Sequence, residues 1–203
     1  GGQEPSDSRF FYETPTKGEP NATAARSGLT MAPTIEAFTV SGHQPVTGLY
    51  LSEPVLVTLT APQSDAVIYY TLDGSLPGTH AAVYTAPLAV SQTTVIRCIA
   101  ISDNCLPSAT SVRTFLAGER HDLPVVSIIG DHADFFDAST GLWTNYQADI
   151  EQAAEIDFYE ADGTSGIRFM AGINLHGSYS RTEKQKSLEL KVRALYGDSQ
   201  VTY

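Results

Sequence analysis

The feature that most constrains the fold is a series of short alternating segments, each ended by a turn, within residues 33–117. Residues 55–60 alternate apolar and polar side chains, as expected of a strand with one buried face. Residues 66–72 do the same and run into Asp73 and Gly74. An Asp-Gly pair after an apolar strand predicts a hairpin, because glycine readily takes the positive φ of the turn. Further strand-like segments lie at 82–84, 88–90, 94–101 and 111–115. Six or seven strands at this spacing predict a β-sandwich.

Composition and charge narrow the class of protein. Of the 203 residues, 42% are hydrophobic and 17% are charged, which is typical of a folded chain with one or two domains. Thr, Val, Tyr, Gly and Pro are plentiful, which favours strands. The net charge of −11 argues against nucleic acid as a partner, because phosphates are bound by basic surfaces. No apolar run approaches the ~20 residues that cross a bilayer, so no transmembrane segment is expected.

Charge is unevenly distributed along the second half. Residues 118–179 contain eleven acids and two bases, whereas residues 180–193 contain five bases and two acids. The basic cluster is either a solvated strand face, as most charged strands are, or an anion-binding site. Two cysteines, Cys98 and Cys105, are too few for a disulfide framework. One lies in a strand-like run and the other just after the next turn, which favours free thiols over a bridge.

A stretch of the first region resembles the chitobiase/hexosaminidase C-terminal family of immunoglobulin-like modules. The resemblance is carried by IYYTLDGSLP at 68–77, YTAP at 84–87, the strand at 94–100 and PS at 107–108. It implies that Asp73 and Ser75 build a turn and are not a catalytic pair, since such side chains bond their own backbone. Tyr69 and Tyr84 either form a sugar-stacking surface or pack in the sandwich.

The first 32 residues are rich in Pro, Gly, Ser, Thr and Glu, and we interpret them as an arm or linker. They contain FFY at 10–12, followed by ETPTKGEPN at 13–21. This phrase resembles the closing segment of bacterial lamin-tail-like β-domains. The resemblance implies that the chain begins at the end of such a domain.

The sequence pattern changes from about residue 121, where the short alternating segments end. A near-continuous apolar run at 123–129 predicts a strand buried on both faces. Residues 131–136 suit a short helical turn that is capped by Asp131, and residues 139–144 are predicted to turn into another strand. Further predictions are a hairpin from 154 to 175 around the Asp-Gly pair at 162–163, an alternating strand at 185–192, and coil or a short helix near 147–153.

This second half resembles the opening of the CotH family, the atypical kinases related to spore-coat protein H. The phrases are LPVVSI at 123–128, FDASTGLW at 136–143, IDFYEADG at 156–163, AGINLHG at 171–177, SR at 180–181, KS at 186–187 and YG at 196–197. The family commonly has PKKSF where this chain has KQKSL at 184–188. The resemblance implies that Lys186 is the kinase-type strand lysine and that Arg181 is an auxiliary phosphate contact. Both side chains suit charge neutralisation in phosphoryl transfer.

The chain offers weak candidates for the remaining kinase chemistry. Asp131, Asp134 and Asp137 have the spacing of a cap and a turn. His176 has no second His or Cys at metal spacing, so we interpret it as a hydrogen-bonded core or turn residue. We therefore assign no catalytic residue and no metal ligand. ATP and Mg²⁺ are expected for the intact protein and no cofactor for this chain.

The sequence thus predicts a mainly β chain, with an immunoglobulin-like β-sandwich (33–117) followed by a truncated β-rich α+β domain (118–203). The first interpretation is part of a bacterial surface or secreted multidomain protein whose intact CotH-like domain phosphorylates a protein partner with ATP. Two alternatives are a non-catalytic adhesion or carbohydrate-binding surface protein and an accessory module of a glycoside hydrolase. The expected partners are other domains of the same protein and a protein substrate or surface glycan, at an extracellular or cell-surface location.

Overall fold

The computed structural model describes residues 11–14, 20–21, 23–197 and 199–203. The strands are β1 (Gly28–Leu29), β2 (Thr34–Thr39), β3 (Tyr50–Leu51), β4 (Val55–Thr60), β5 (Val67–Thr71), β6 (Ala82–Val83), β7 (Leu88–Val90), β8 (Thr94–Ile101), β9 (Cys105–Leu106), β10 (Ser111–Ala117), β11 (Val125–Ile129), β12 (Glu151–Tyr159), β13 (Ser165–His176) and β14 (Ser187–Lys191). Helical structure within these residues is limited to α1 (His132–Phe136) and a 3₁₀ turn (Tyr179–Thr182). The predicted mainly β class is confirmed. Phe10 and residues 15–19 of the phrase after the FFY segment lie outside the described residues.

Two sheets form the immunoglobulin-like sandwich, which is also confirmed. One has the order β2-β4-β7 and the other β3-β10-β8-β5-β6. Their facing side chains make one apolar core, because alternate residues of β4 and β8 point inward. The buried residues of this core are Ala37, Val55, Val57, Leu59, Ile68, Val90, Ile96, Cys98, Ala100 and Phe115.

A third sheet, of four antiparallel strands in the order β11-β12-β13-β14, lies further along the chain. The predicted hairpin is present: β12 and β13 are joined through Gly163, whose φ is +89°. One face of the sheet is apolar and packs under the segment between α1 and β12. Its buried residues are Leu142, Ala154, Ile156, Ala171, Ile173 and Leu175.

Three local predictions for this second half were wrong. The turn predicted within residues 139–144 is present, but it leads into further turns rather than into a strand. The strand β11 lies at the edge of its sheet, and Val126 is 46% exposed, so the run is not buried on both faces. The beginning of β12 extends to Glu151, within the segment expected to be coil or helix. The apolar run at 123–129 gave the wrong prediction, because an edge strand can contain Val and Ile although only one of its faces is covered by other residues.

The predicted free thiols are confirmed. Cys98 is buried in the sandwich core, Cys105 is half-buried, and neither is bridged. Burial raises the pKa of the Cys98 thiol to about 12. None of the helices in the described part of the chain is long and apolar enough to cross a membrane.

Candidate functional site

The outer face of the five-stranded sheet packs against the polar face of the four-stranded sheet, and we call this contact the junction. Thr114 Oγ1 on β10 and Ser127 Oγ on β11 are 2.9 Å apart. At the edge of the junction, Leu49 N donates a hydrogen bond to Gly163 O at 2.9 Å. A Cβ on Gly163 would lie 2.5 Å from the Tyr50 ring. The β12–β13 turn is therefore fitted closely against β3.

Charged side chains are buried in the junction. Asp157 Oδ2 accepts hydrogen bonds from Arg168 Nη2 at 2.9 Å and from Tyr159 OH at 2.6 Å. Glu155 Oε1 lies 3.8 Å from Arg168 Nε. Arg97 reaches the junction from β8, and its residue is 7% exposed, compared with 0% for Asp157. Both ion pairs lie within the four-stranded sheet, whereas the contacts that join the two sheets are hydrogen bonds, including the one from Thr110 Oγ1 to Glu155 Oε2 at 3.4 Å.

Burial dominates the pKa values in this layer. The pKa of Tyr159 is raised to about 12, because burial disfavours the phenolate and because the neutral hydroxyl donates a hydrogen bond to Asp157. Desolvation raises the pKa of Glu155 in spite of the nearby Arg168 and Arg97. Buried ion pairs contribute little net stability but are costly to break singly. We therefore interpret the layer as fixing how the sheets dock rather than as an active site.

Beside the junction lies a concave surface with a volume of about 380 Å³, which we call the junction cleft. Its lining comes from the β5–β6 turn on one side and from α1, the turn after it and the four-stranded sheet on the other. The lining residues are Asp73, Ser75, Ile128, Gly130, His132, Phe135, Phe136, Trp143 and Leu188.

The first wall is the predicted Asp-Gly turn. Asp73 Oδ1 accepts hydrogen bonds from Ser75 N at 3.0 Å and from Ser75 Oγ at 2.6 Å. Gly74 has a φ of +81°. The turn is tied to the opposite wall, because Leu76 N donates to Asp131 Oδ1 at 2.5 Å. Asp131 occupies the predicted N-cap position of α1, but its side chain makes this contact instead of capping the helix.

The second wall is aromatic. The Phe136 ring is 4.9 Å from the His132 ring and 6.3 Å from the Trp143 ring, by centroids. Trp143 is held in place by the hydrogen bond from its backbone N to Phe135 O at 2.7 Å. Phe136 remains 49% exposed. Asp137 closes the following turn, since its Oδ1 accepts hydrogen bonds from the backbone of two residues in it, as predicted for this aspartate.

The polar groups of the cleft suit binding rather than nucleophilic catalysis. The pKa of Asp73 is lowered mainly by the hydrogen bonds from Ser75, and His132 adds a smaller contribution. Asp73 is therefore ionised at neutral pH. Ser75 Oγ donates directly to this carboxylate, so the three side chains do not form a relay in which histidine activates serine. The sequence interpretation of Asp73 and Ser75 as a turn agrees with these bonds.

Lys186 lies just behind the aromatic wall. Its Nζ donates to the backbone oxygens of Arg181 at 2.5 Å and Glu183 at 2.9 Å. The same ammonium lies 4.6 Å from the centroid of the Tyr146 ring and 5.7 Å from that of Trp143. A phosphate ligand would have to replace one of these contacts. The assignment of Lys186 to nucleotide binding stays a prediction.

Arg181 lies in the 3₁₀ turn and lines a separate concave surface together with Tyr146, Gly177 and Ser178. Its Nε is buried and has no hydrogen-bond partner in the described part of the chain. Across the described residues there is no group of three or more His, Cys, Asp or Glu side chains placed to hold a metal. The role of Arg181 in nucleotide binding stays a prediction.

The tyrosines proposed for sugar stacking do not share a face. Tyr84 packs against the sandwich core and meets Tyr70 edge to face at 6.5 Å, whereas Tyr69 points to the outer side of β5. The sequence reasoning missed His132, Phe136 and Trp143 as a surface. Two signals were available, namely the adjacent aromatics of HADFF at 132–136 and the single tryptophan of the chain.

The sandwich and its two core sheets place this part of the chain among immunoglobulin-like β-sandwich modules. Residues 45–112 match the family of the chitobiase/beta-hexosaminidase C-terminal domain, so the predicted resemblance is confirmed over about a third of the chain. This comparison gives no support to the CotH-like and lamin-tail-like resemblances. No curated protein and no solved structure matches the chain.

Proposed function

We propose that this chain is a carbohydrate-binding accessory part of a larger extracellular or cell-surface protein. The observation that carries the proposal is the similarity of residues 45–112 to a module named for enzymes that act on β-linked hexosamines. The second region (118–203) and other domains of the same protein are its partners. In this role the chain holds a glycan while chemistry, where there is any, is performed elsewhere in the protein.

Charge supports a neutral ligand. At a net charge of −11, the surface repels sulfated and uronic acid glycans, and the repulsion is strongest at low ionic strength. Neutral N-acetylated hexosamines carry no charge and have both hydroxyl groups and apolar ring faces. They are therefore the class of glycan that we expect this chain to bind.

The test is a glycan array on the full 203-residue chain, followed by calorimetry with the tetrasaccharide of β-1,4-linked N-acetylglucosamine. We expect a Kd of roughly 0.1–1 mM, which is about −5.5 to −4 kcal/mol and usual for a small open site. A sulfated glycan of the same length serves as the control and should bind more weakly. Absence of binding to every glycan on the array would refute the proposal.

A second candidate, the nucleotide-binding lobe of an atypical kinase, is favoured by one observation. The buried Nε of Arg181 has no hydrogen-bond partner among the described residues, and Arg181 lines a concave surface together with Gly177 and Ser178. A titration of the chain with ATP, with and without Mg²⁺, tests it. Binding that is lost in Arg181→Ala and in Lys186→Ala would support this candidate, and no binding by the unmodified chain would oppose it.

A further inference from the structure

We infer that the glycan site is the junction cleft, so that residues from both sheets are needed to bind sugar; this inference rests on the proposed function. The matched module supplies the Asp73 turn, whereas the aromatic wall of Phe136 and Trp143 comes from the second region. Neither part has the complete set of groups. The complete binding site therefore forms only where the two sheets dock and bring the Asp73 turn opposite Phe136 and Trp143.

The aromatic wall suits the apolar face of a pyranose. Axial C–H groups of a sugar carry partial positive charge and are attracted to the negative face of an aromatic ring. Phe136 and Trp143 lie 6.3 Å apart by centroids and are tilted by 49°. Phe136 is half exposed in the absence of a ligand, so a sugar can reach the ring without moving the core.

Polar groups stand opposite that wall. The bonds from Ser75 occupy Oδ1 of Asp73, and the lone pairs of Oδ2 are not used by them. A carboxylate oxygen accepts strongly from sugar hydroxyls. His132 lines the same cleft and offers a ring nitrogen. Apolar walls with a few convergent polar groups, in a volume of about 300–1,000 Å³, are typical of small-molecule sites.

The two walls are fixed relative to each other before any ligand binds. The hydrogen bond from Leu76 N to Asp131 Oδ1 joins the turn to the start of α1. Nearby, a Cβ on Gly74 would lie 3.2 Å from Cγ2 of Ile129. Such a preorganised cleft loses little conformational entropy on binding. We expect the Asp73 carboxylate to disfavour anionic sugars in this cleft, because like charges repel.

Trp143 is the single tryptophan of the chain, so its fluorescence reports on this cleft alone. We expect the tetrasaccharide of β-1,4-linked N-acetylglucosamine to change Trp143 emission with the same Kd as calorimetry gives. Phe136→Ala and Asp73→Asn should each weaken binding about tenfold or more. The matched controls Tyr179→Ala and Asp65→Asn change an exposed aromatic and an exposed acid outside the cleft, and their Kd should stay within about twofold.

The outcomes separate this inference from the proposed function. If the unmodified chain binds the tetrasaccharide but the cleft variants bind equally well, or Trp143 emission does not respond, the cleft assignment is wrong and carbohydrate binding stands. If the unmodified chain binds no glycan, the proposed function fails first. His132→Ala, at an exposed position, gives a second cleft variant if Asp73→Asn proves unstable in thermal unfolding, and we expect it to weaken binding.

Discussion

The two faces of strand β8 meet different surroundings. On the inner face, Ile96, Cys98 and Ala100 are buried in the apolar sandwich core. On the outer face, Arg97 is buried in the junction, close to Glu155 of the other sheet. The core depends on apolar area and close packing, whereas the junction buries charged side chains and is joined by hydrogen bonds. Strand β8 therefore stabilises the sandwich with one face and helps to specify how the four-stranded sheet docks with the other.

Breaking the junction should have the largest effect. Asp157→Ala removes the acceptor of both Arg168 and Tyr159. It leaves the buried Tyr159 hydroxyl without this acceptor and the Arg168 side chain, which is 40% exposed, without its closest carboxylate. We expect a loss of about 2–3 kcal/mol in the free energy of unfolding, measured in urea, because an unsatisfied buried hydroxyl is costly whereas solvent screens the half-exposed ion pair. The double variant Asp157→Ala with Arg168→Met should recover part of it. A loss below about 1 kcal/mol in the single variant would show that the charges are not energetically coupled.

The close fit of Gly163 against the Tyr50 ring, at the edge of the junction, predicts the second largest loss of stability. Gly163→Ala combines strain at a φ of +89° with a Cβ that would lie 2.5 Å from the Tyr50 ring. Gly118→Ala is the matched control, because its φ is +79° and no atom lies within 4 Å of the added Cβ. We expect Gly163→Ala to cost at least about 1 kcal/mol more than the control. Equal losses in thermal unfolding would show that Tyr50 yields freely.

A pH effect distinguishes the junction from the core. The folded-state pKa of Glu155 lies above its ordinary value of 4.5, because of desolvation. The folded protein therefore binds the carboxyl proton of Glu155 more tightly than the unfolded chain does. The stability that this proton contributes is fully present below pH 4.5 and is lost as the pH rises through the folded-state pKa. As the pH rises through that range, the free energy of unfolding of Glu155→Gln should increase relative to that of the unmodified protein, measured in urea at each pH. This relative increase should be smaller than the loss caused by Asp157→Ala.

The smallest effect concerns the core. Cys98 is buried and its pKa is raised to about 12, so its thiol should not react with a disulfide reagent at pH 8 until the protein unfolds. In Cys105→Ser, the one remaining thiol should react only after urea is added. Reaction in the folded state would mean that the sandwich core opens to solvent without global unfolding.

Much of the sandwich could be predicted, because its strands follow their own local patterns. The strand at 55–60 and the one at 94–101 were predicted with the bounds that the structure has. The strand β2 was missed, since TIEAFT is not a strictly alternating segment of apolar and polar residues. It becomes a strand by pairing with β4, and no local signal specifies a distant partner.

The candidate site was predicted less well, for the same reason. The sequence indicated correctly that Asp73 and Ser75 form a turn, and it singled out Lys186 and Arg181 for their charge. It did not indicate that Phe136 and Trp143 would face that turn, some 60 to 70 residues away in the chain. Aromatic residues in a short helix and a turn are equally compatible with burial in a core.

Local sequence patterns determined the β class and the turns with glycine at positive φ, because periodicity and turn chemistry act between neighbouring residues. The similarity of residues 45–112 to a known module was carried by short phrases of the sequence. The tertiary structure decided which faces meet. It placed Arg97 beside Glu155, turned the ammonium of Lys186 toward two backbone oxygens and two aromatic rings, and brought Asp73 opposite Phe136. These contacts depend on how two sheets dock, and docking is set by the sum of many distant contacts that no local pattern contains.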